Sequence, residues 1–163
     1  MRVVGLREAT HGTREFFQLK HRLLEFLVTE MGCSVLAMEA SASAGLAVDA
    51  YVRHGIGDGG RALTGLGFWT WRTGEVLAMI EWMREYNRER AEDEQVRFVG
   101  IDPQRCGDSI AVLDAFLRER APERVAGLHA KLGVLGGAHP GQYPDPQRRP
   151  VHAAEQLVDC SIQ

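Results

Sequence analysis

The sequence is poor in lysine, and it has no long apolar segment. Lys20 and Lys131 are the only lysines, so arginine supplies nearly all of the positive charge, and the formal net charge is −3. That balance lacks the basic excess that is typical of nucleic-acid-binding proteins. No apolar run approaches the roughly 18 residues of a membrane span, and the first residues lack the apolar core of a signal peptide. We therefore expect a cytoplasmic protein with no nucleic-acid or membrane partner.

Cysteine is also scarce, and several catalytic motifs are missing. Cys33, Cys106 and Cys160 are too widely spaced for a paired zinc motif, and they form no disulfide framework. The G-x-S-x-G motif of many serine hydrolases is absent, and no glycine-rich phosphate-binding loop follows a predicted strand. These absences argue against a serine nucleophile of that type and against nucleotide binding. We expect no cofactor.

Apolar runs alternate with amphipathic stretches along most of the chain. The short runs predict three buried strands, over residues 3–6, 34–38 and 96–101. Helical periodicity predicts helices over about 14–31, 42–53 and 108–120, and others that begin after Thr73 and at Pro122. Connections of this length, helical in part, favour parallel strands. The predicted fold class is therefore α/β, with a parallel sheet flanked by helices that is incomplete and has a loop-rich C-terminal tail.

Two regions depart from this alternation. Residues 53–60 are predicted to be a glycine-rich loop, and 63–71 an irregular stretch in which Phe68, Trp69 and Trp71 serve as core rather than as a ligand platform. Residues 133–150 contain four glycines and four of the six prolines, a composition typical of loops. We therefore predict an α/β region over 1–132 and a loop and tail over 133–163.

Each predicted strand is followed by a carboxylate: Glu8, Glu39 and Asp102. Because parallel strands end at the same edge of a sheet, these acids should lie along one edge, where ligands bind in open α/β sheets. His11 follows Glu8 by three residues, and a histidine held by a carboxylate is a good general base. Other interpretations stay open. The acids can be solvated strand ends or helix caps, His11 can bond to a helix start, and Glu8, His11 and Glu39 can bind a metal.

Residues 3–118 resemble the erythromycin esterase family, whose enzymes inactivate macrolide antibiotics by hydrolysing the lactone ester. Five segments carry the resemblance in the family's order and spacing: 5–24, 37–41, 68–73, 82–87 and 98–104. The resemblance implies an erythromycin-esterase-like α/β fold, a macrolide-like small-molecule ester as substrate, and a role in antibiotic resistance. It implies neither a metal nor a cofactor.

The resemblance also assigns roles to individual residues. It implies that His11 is the general base that activates water, and that Glu8 and Glu39 line the same catalytic cleft. Lys20 occupies the place of a basic site residue in the first helix, a position that periodicity alone leaves in solvent. Lys20 and Asp102 are the candidates for substrate contact. The implied mechanism is direct attack of water on the ester carbonyl without a covalent intermediate.

The chain departs from the family pattern in two ways. Arg7 stands where the family usually has glycine, and family members are much longer, with further site histidines in a later strand. The histidines at 129, 139 and 152 lie in no matching motif. We therefore expect the N-terminal part of the fold. The alternatives are a hydrolase of a different ester, or a non-catalytic remnant or partner-dependent fragment that self-associates through its incomplete sheet.

Overall fold

The structure, a computed structural model, describes residues 3–11, 13–102 and 106–132. Contacts between residues divide the chain into two compact units, one that ends at Ile101 and one that begins at Asp102. The predicted tail, 133–163, lies outside the described residues. The predicted division of the chain at residue 132 therefore stays a prediction.

Within the described residues, the first unit has four α-helices, two strands and one 3-10 turn. The 3-10 turn, Trp69–Trp71, lies between the third and fourth helices. The strand β2 ends on the first residue of the second unit. In chain order the helices and strands are α1 (Arg14–Thr29), β1 (Val35–Ser41), α2 (Ala42–His54), α3 (Gly59–Gly65), α4 (Gly74–Asn87) and β2 (Arg97–Asp102).

The strands β1 and β2 are direct neighbours, and in the described part of the chain they form a two-stranded parallel sheet. The backbone N–H of Arg97 donates to the carbonyl of Ser34 at 2.9 Å, which aligns the start of β2 with the start of β1. The chain between them contains α2, α3 and α4, as expected for a helical crossover. The α/β class, with a parallel sheet flanked by helices, is confirmed.

The strand predicted over residues 3–6 was wrong. This segment has no regular secondary structure, and Val3 and Val4 are 81% and 50% exposed. An apolar run becomes a strand only where a neighbour satisfies its backbone hydrogen bonds, and the sheet of the described residues contains β1 and β2 alone. Glu8 therefore follows an irregular segment rather than a strand.

Signals in the sequence correctly mark the boundaries of the long helices. Thr73 caps α4, because its hydroxyl oxygen accepts a hydrogen bond from the backbone N–H of Val76 at 3.2 Å. Thr13 stands at the N-terminal boundary of α1, as predicted. Just beyond the end of α1, Gly32 has a φ of +66°, the left-handed conformation that favours glycine after a helix.

The helix α3 lies where the sequence predicts a glycine-rich loop and an irregular stretch. Glycine has a low helix propensity, so its composition alone argues against a helix. A capping hydrogen bond and a close packing contact compensate for this low helix propensity. The Asp58 carboxylate accepts a hydrogen bond from the backbone N–H of Arg61 at 2.9 Å, and a Cβ on Gly59 would lie only 2.9 Å from the Tyr51 ring. The glycine is needed for close packing against that ring.

The core of the first unit is one apolar cluster built from the sheet and the helices α1, α2, α3 and α4. In β2, Phe98 is buried in the cluster, while Val99 is 37% exposed on the opposite face. Burial therefore alternates along the strand, and one face of the sheet carries most of the packing. The largest apolar side chains that are fully buried are Phe98, Leu66, Ile80, Met83, Val48, Val52, Val76 and Val96.

A close approach of two backbones brings β2 against the end of β1. A Cβ on Gly100 would lie 2.3 Å from the carbonyl oxygen of Ser41, closer than real Cβ atoms come. On the other side, a Cβ on Gly45 of α2 would lie 3.0 Å from the backbone nitrogen of Gly100. Only glycine at position 100 allows β1, α2 and β2 to meet at this point.

The second unit contains α5 (Cys106–Arg120), a 3-10 turn at Pro122–Arg124 and α6 (Val125–Leu132). Both helices lie where the sequence predicts them, with Pro122 in the first turn. Asp114 of α5 accepts hydrogen bonds from Arg118 at 2.5 Å and contacts His129 of α6 at 2.6 Å. None of the described helices has the length and apolar character that a membrane crossing requires.

Asn87, the only asparagine in the chain, connects the end of α4 to α2 and to the residue just before β2. Its side-chain amide N–H groups donate to the carbonyls of Val52 and Val96 at 3.0 and 2.8 Å. Its amide oxygen accepts from the Val96 backbone N–H at 2.8 Å. Since Asn87 is 1% exposed, water cannot replace these bonds.

We predict that Asn87→Ala lowers the free energy of unfolding by about 2–5 kcal/mol, because it leaves three buried backbone groups without partners. Urea unfolding followed by circular dichroism measures the change. The control is Gln95→Ala, which removes a half-buried amide bonded to the Arg53 side chain and the Arg90 carbonyl and should cost about 1 kcal/mol. Equal losses in the two variants would contradict the assigned role of Asn87.

Candidate active site

A turn that follows the N-terminal segment is held against α1 by an ion pair. The Nζ of Lys20, on α1, contacts Oε2 of Glu8. The Glu8 side chain is only 9% exposed and that of Lys20 21%, so the pair is largely withdrawn from water. Lys20 therefore contacts Glu8 and is largely buried, although the periodicity of α1 places it in solvent.

The other carboxylate oxygen of Glu8 holds His11. The Nδ1 of His11 lies 2.5 Å from Oε1 of Glu8, and the imidazole is 59% exposed. An ionised carboxylate only accepts hydrogen bonds, so Nδ1 must carry the proton in this contact. In neutral His11 the lone pair is then on Nε2, which is the nitrogen that can accept a proton from a ligand or water.

The surroundings of Glu8 keep its carboxyl group ionised. Burial raises the pKa of Glu8, but the hydrogen bonds from Lys20 and His11, together with their charges, lower it by more. The pKa of Glu8 therefore lies below its ordinary value of 4.5. Near neutral pH the carboxylate is available both to orient His11 and to stabilise its protonated form.

Trp71, in the 3-10 turn, lies between His11 and the strand β1. Its ring makes an edge-to-face contact with the His11 ring, with centroids 6.2 Å apart, and a similar contact with Phe17 at 5.9 Å. Its indole N–H donates to the backbone carbonyl of Glu39 at 3.0 Å. Trp71 is 6% exposed and belongs to the core, as predicted, whereas Trp69 is 70% exposed and does not.

The contact between Trp71 and His11 was not predicted from the sequence. The only sequence signal was indirect, since Trp71 lies in one of the segments that carry the family resemblance. Burial alone does not distinguish a core tryptophan from one that also contacts a site histidine.

The other two predicted acids lie near the ends of the two strands, Glu39 in β1 and Asp102 in β2. Glu39 lies on the exposed face of β1, and in the described part of the chain its carboxylate forms no hydrogen bond or ion pair with Glu8 or His11. Asp102 is 6% exposed at the end of β2 and is the first residue of the second unit. The expected row of three strand-end acids is wrong for Glu8, because no strand precedes it.

An open depression of about 480 Å³ lies beside the Glu8 carboxylate, lined by Arg7, Glu8, Ala9 and Phe16. Arg7, the departure from the family pattern, therefore adds a positive charge to the wall of this depression. A ligand here would lie next to the turn that carries Glu8 and His11.

A metal held by Glu8, His11 and Glu39 requires three donors that converge on one point. Within residues 3–11, 13–102 and 106–132, no group of three His, Cys, Asp or Glu side chains is arranged in that way. Both oxygens of Glu8 are already engaged, one by the Lys20 ammonium and the other by His11. The geometry therefore favours a hydrogen-bonded histidine over a metal ligand.

A model of the family described as erythromycin esterase matches residues 28–159. The chain belongs to the erythromycin esterase family. The matched region includes Glu39 and Asp102 and begins after the residues at positions 8, 11 and 20. Family membership therefore rests on residues 28–159, and the turn that carries Glu8 and His11 lies before them.

Individual relatives agree with this membership. The chain is 35% identical over 111 residues to a protein named erythromycin esterase type II from Escherichia coli, an overlap of 66% of this chain and 25% of the relative. It thus spans about a quarter of that relative's length.

Two crystal structures are similar to the chain at 28% sequence identity. One is of a protein described as a succinoglycan biosynthesis protein. Its TM-score is 0.73, and the match covers 95% of this chain and 40% of that protein's chain. The other is of a Bacillus cereus protein. Its TM-score is 0.63, and the match covers 78% of this chain and 31% of that protein's chain. The fold shared with these two crystal structures therefore extends through most of this chain.

The low pKa of Glu8 predicts a pH-dependent contribution to stability. A carboxylate whose pKa is lowered by folding stabilises the protein above its unfolded pKa, near 4.5, and loses that effect as the pH falls through the folded pKa. The wild type should therefore be more stable than Glu8→Gln at pH 7, and the difference should shrink below about pH 4.5. Urea unfolding across this range measures the difference.

The control for this experiment is Glu81→Gln, which changes an exposed carboxylate of α4. Its unfolding free energy should differ little from that of the wild type across the whole range. A difference between wild type and Glu8→Gln that stays constant with pH would contradict the assigned ion pair.

Proposed function

We propose that the chain provides the water-activating part of an esterase-like hydrolase, with His11 as the general base. The observation that carries this proposal is the contact of 2.5 Å between His11 Nδ1 and Glu8. In this contact Nδ1 donates to the carboxylate, so Nε2 is free to act as the proposed base, and ionised Glu8 would stabilise the imidazolium. Family membership gives the reaction class that this arrangement suits.

In the proposed reaction, water attacks the carbonyl carbon of the ester while His11 Nε2 takes one of its protons. A new bond forms between carbon and the water oxygen, and the carbonyl oxygen becomes an oxyanion. Collapse of this tetrahedral intermediate breaks the bond to the alcohol oxygen, which receives the proton from His11. The products are an acid and an alcohol, and His11 returns to its neutral form.

Lys20 and Glu8 support this chemistry through charge. Lys20 is the largest influence that keeps Glu8 ionised, and ionised Glu8 stabilises protonated His11 by a charge-assisted hydrogen bond. In this arrangement Lys20 acts through Glu8. Direct contact of Lys20 or Asp102 with substrate stays a prediction, as does a catalytic role for Glu39.

A macrolide lactone is the proposed substrate, and antibiotic inactivation the proposed consequence, because the Escherichia coli relative is named an erythromycin esterase. The cytoplasmic location stays a prediction as well. An ester of another kind is the nearest alternative, since the fold does not determine the substrate.

A partner-dependent or non-catalytic fragment is the second candidate. The specific observation in its favour is the outward face of the sheet, where Val35 is 50% exposed and Val99 37% exposed. Parallel sheets are usually covered on both faces. Self-association through this face would appear as a concentration-dependent oligomer in analytical ultracentrifugation.

We predict that His11→Ala slows ester hydrolysis by about 10²- to 10⁴-fold, the usual contribution of a general base. The assay incubates the protein with erythromycin and with a panel of simple lactones and aryl esters. Mass spectrometry detects the addition of one water to the macrolide or the release of the acid. The panel separates a macrolide esterase from a hydrolase of other esters.

The matched control is His54→Ala, which removes an exposed histidine at the end of α2. It should leave the rate unchanged within about twofold. Equal rates for wild type and His11→Ala would contradict His11 as the base. No hydrolysis of any ester by the wild-type monomer would favour the partner-dependent fragment.

A further inference from the structure

Trp71 is held on three sides by groups of the first unit. Its indole N–H donates to the Glu39 carbonyl at 3.0 Å, its ring packs edge-to-face on Phe17, and it makes a third contact with His11. Phe17 is itself 3% exposed and belongs to the core. Trp71 is therefore a rigid group that extends from the core to an exposed histidine.

We propose that Trp71 is a positioning residue for the base: it fixes the orientation of the His11 ring and its distance from the end of β1, where Glu39 lies. This inference rests on the proposed function, in which His11 activates water. It goes beyond that function because it assigns a role to Trp71, which acts neither as an acid nor as a base.

The geometry of His11 requires a second support. His11 lies on an exposed turn, and its contact with Glu8 is made by one nitrogen. A single hydrogen bond leaves the imidazole able to swing about the Nδ1–H direction, which would move Nε2. Contact with a ring that cannot itself rotate, because its N–H is bonded and Phe17 packs against it, restricts this motion.

The contact also links two parts of the site that do not touch directly. Glu39 forms no bond to His11 in the described chain, yet its carbonyl holds the ring on which His11 packs. Trp71 thereby fixes the separation between the base and the residue of β1 that the family resemblance places in the same cleft. Correct placement of a base relative to substrate contributes strongly to rate.

The chain contains a matched pair for comparison. Trp82 of α4 makes an edge-to-face contact with His21 of α1, and its centroid distance is also 6.2 Å. Trp82 packs on Tyr86 as well, but neither Trp82 nor His21 contacts Glu8 or His11 among the described residues. Trp82→Leu is therefore a control that removes the same kind of contact away from the proposed base.

The first test uses the unmodified protein. Two-dimensional NMR should show nuclear Overhauser effects between the imidazole protons of His11 and the indole protons of Trp71. It should also show slow solvent exchange of the Trp71 indole N–H, since that proton is bonded in a buried position. Absence of the Overhauser effects in folded protein would overturn the proposal without any variant.

The second test compares Trp71→Phe and Trp71→Leu with Trp82→Leu in the full chain. Trp71→Phe keeps an aromatic contact and loses the N–H, whereas Trp71→Leu loses both. We expect the His11 signals to move away from their wild-type chemical shifts in both Trp71 variants, and to move further in Trp71→Leu than in Trp71→Phe. The His21 signals should stay unchanged. Trp82→Leu should shift the His21 signals and leave those of His11 in place.

The kinetic consequence is a loss of kcat with little change in KM. We expect kcat to fall roughly 10- to 100-fold in Trp71→Leu and by less in Trp71→Phe, while Trp82→Leu stays near the wild-type value. Rates are corrected for the folded fraction, because a purely structural role would lower only that fraction. Unchanged kcat per folded molecule in both Trp71 variants would overturn the proposal.

The two proposals fail in different ways. If the wild type hydrolyses no ester, the proposed function fails, while the NMR signals of His11 still decide whether Trp71 orients its ring. If hydrolysis depends on His11 but the His11 signals are identical in wild type and both Trp71 variants, the positioning role fails and the proposed function stands.

Discussion

One carboxylate holds the turn that carries His11 to the rest of the first unit. Glu8 uses one oxygen to bind Lys20 of α1 and the other to bind His11. The segment before it is exposed and belongs to no strand, so no backbone ladder anchors the turn. The position of His11 therefore depends on side-chain contacts, which is why the charge of Glu8 matters for both stability and the proposed chemistry.

The parallel sheet affects the position of His11 indirectly, through Trp71. The close meeting of β1, α2 and β2 at Gly100 fixes the end of β1, and the carbonyl of Glu39 near that end holds the Trp71 ring. Through that ring, the packed α/β body limits where His11 can lie. The family match includes Glu39 and Trp71, whereas Glu8, His11 and Lys20 precede it, since the match begins at residue 28.

The long helices and the strands β1 and β2 were predictable because their apolar periodicity and caps, such as Thr73, are local. The strand at 3–6 was not, since a four-residue apolar run does not reveal whether another strand is available to pair with it. The helix α3 was not predicted, because its glycines have a low helix propensity. It is stabilised by packing of Gly59 against Tyr51, a contact that exists only in the folded chain.

The contact between Glu8 and His11 was predictable from their spacing of three residues, although the strand expected before Glu8 is absent. Lys20 came from the family resemblance, because the periodicity of α1 gives no reason to turn a lysine inward. Trp71 and Trp69 share one 3-10 turn and look alike in sequence. Only the tertiary packing decides that Trp71 is buried against His11 while Trp69 is exposed.

The most direct test of this account is the protonation of the His11 imidazole, measured by long-range ¹H–¹⁵N correlation NMR near neutral pH. His11→Ala identifies the signals among those of the six histidines. If Glu8 orients His11 as described, neutral His11 carries its proton on Nδ1, and its Nε2 has the shift of an unprotonated nitrogen. A neutral His11 with its proton on Nε2 would contradict the account.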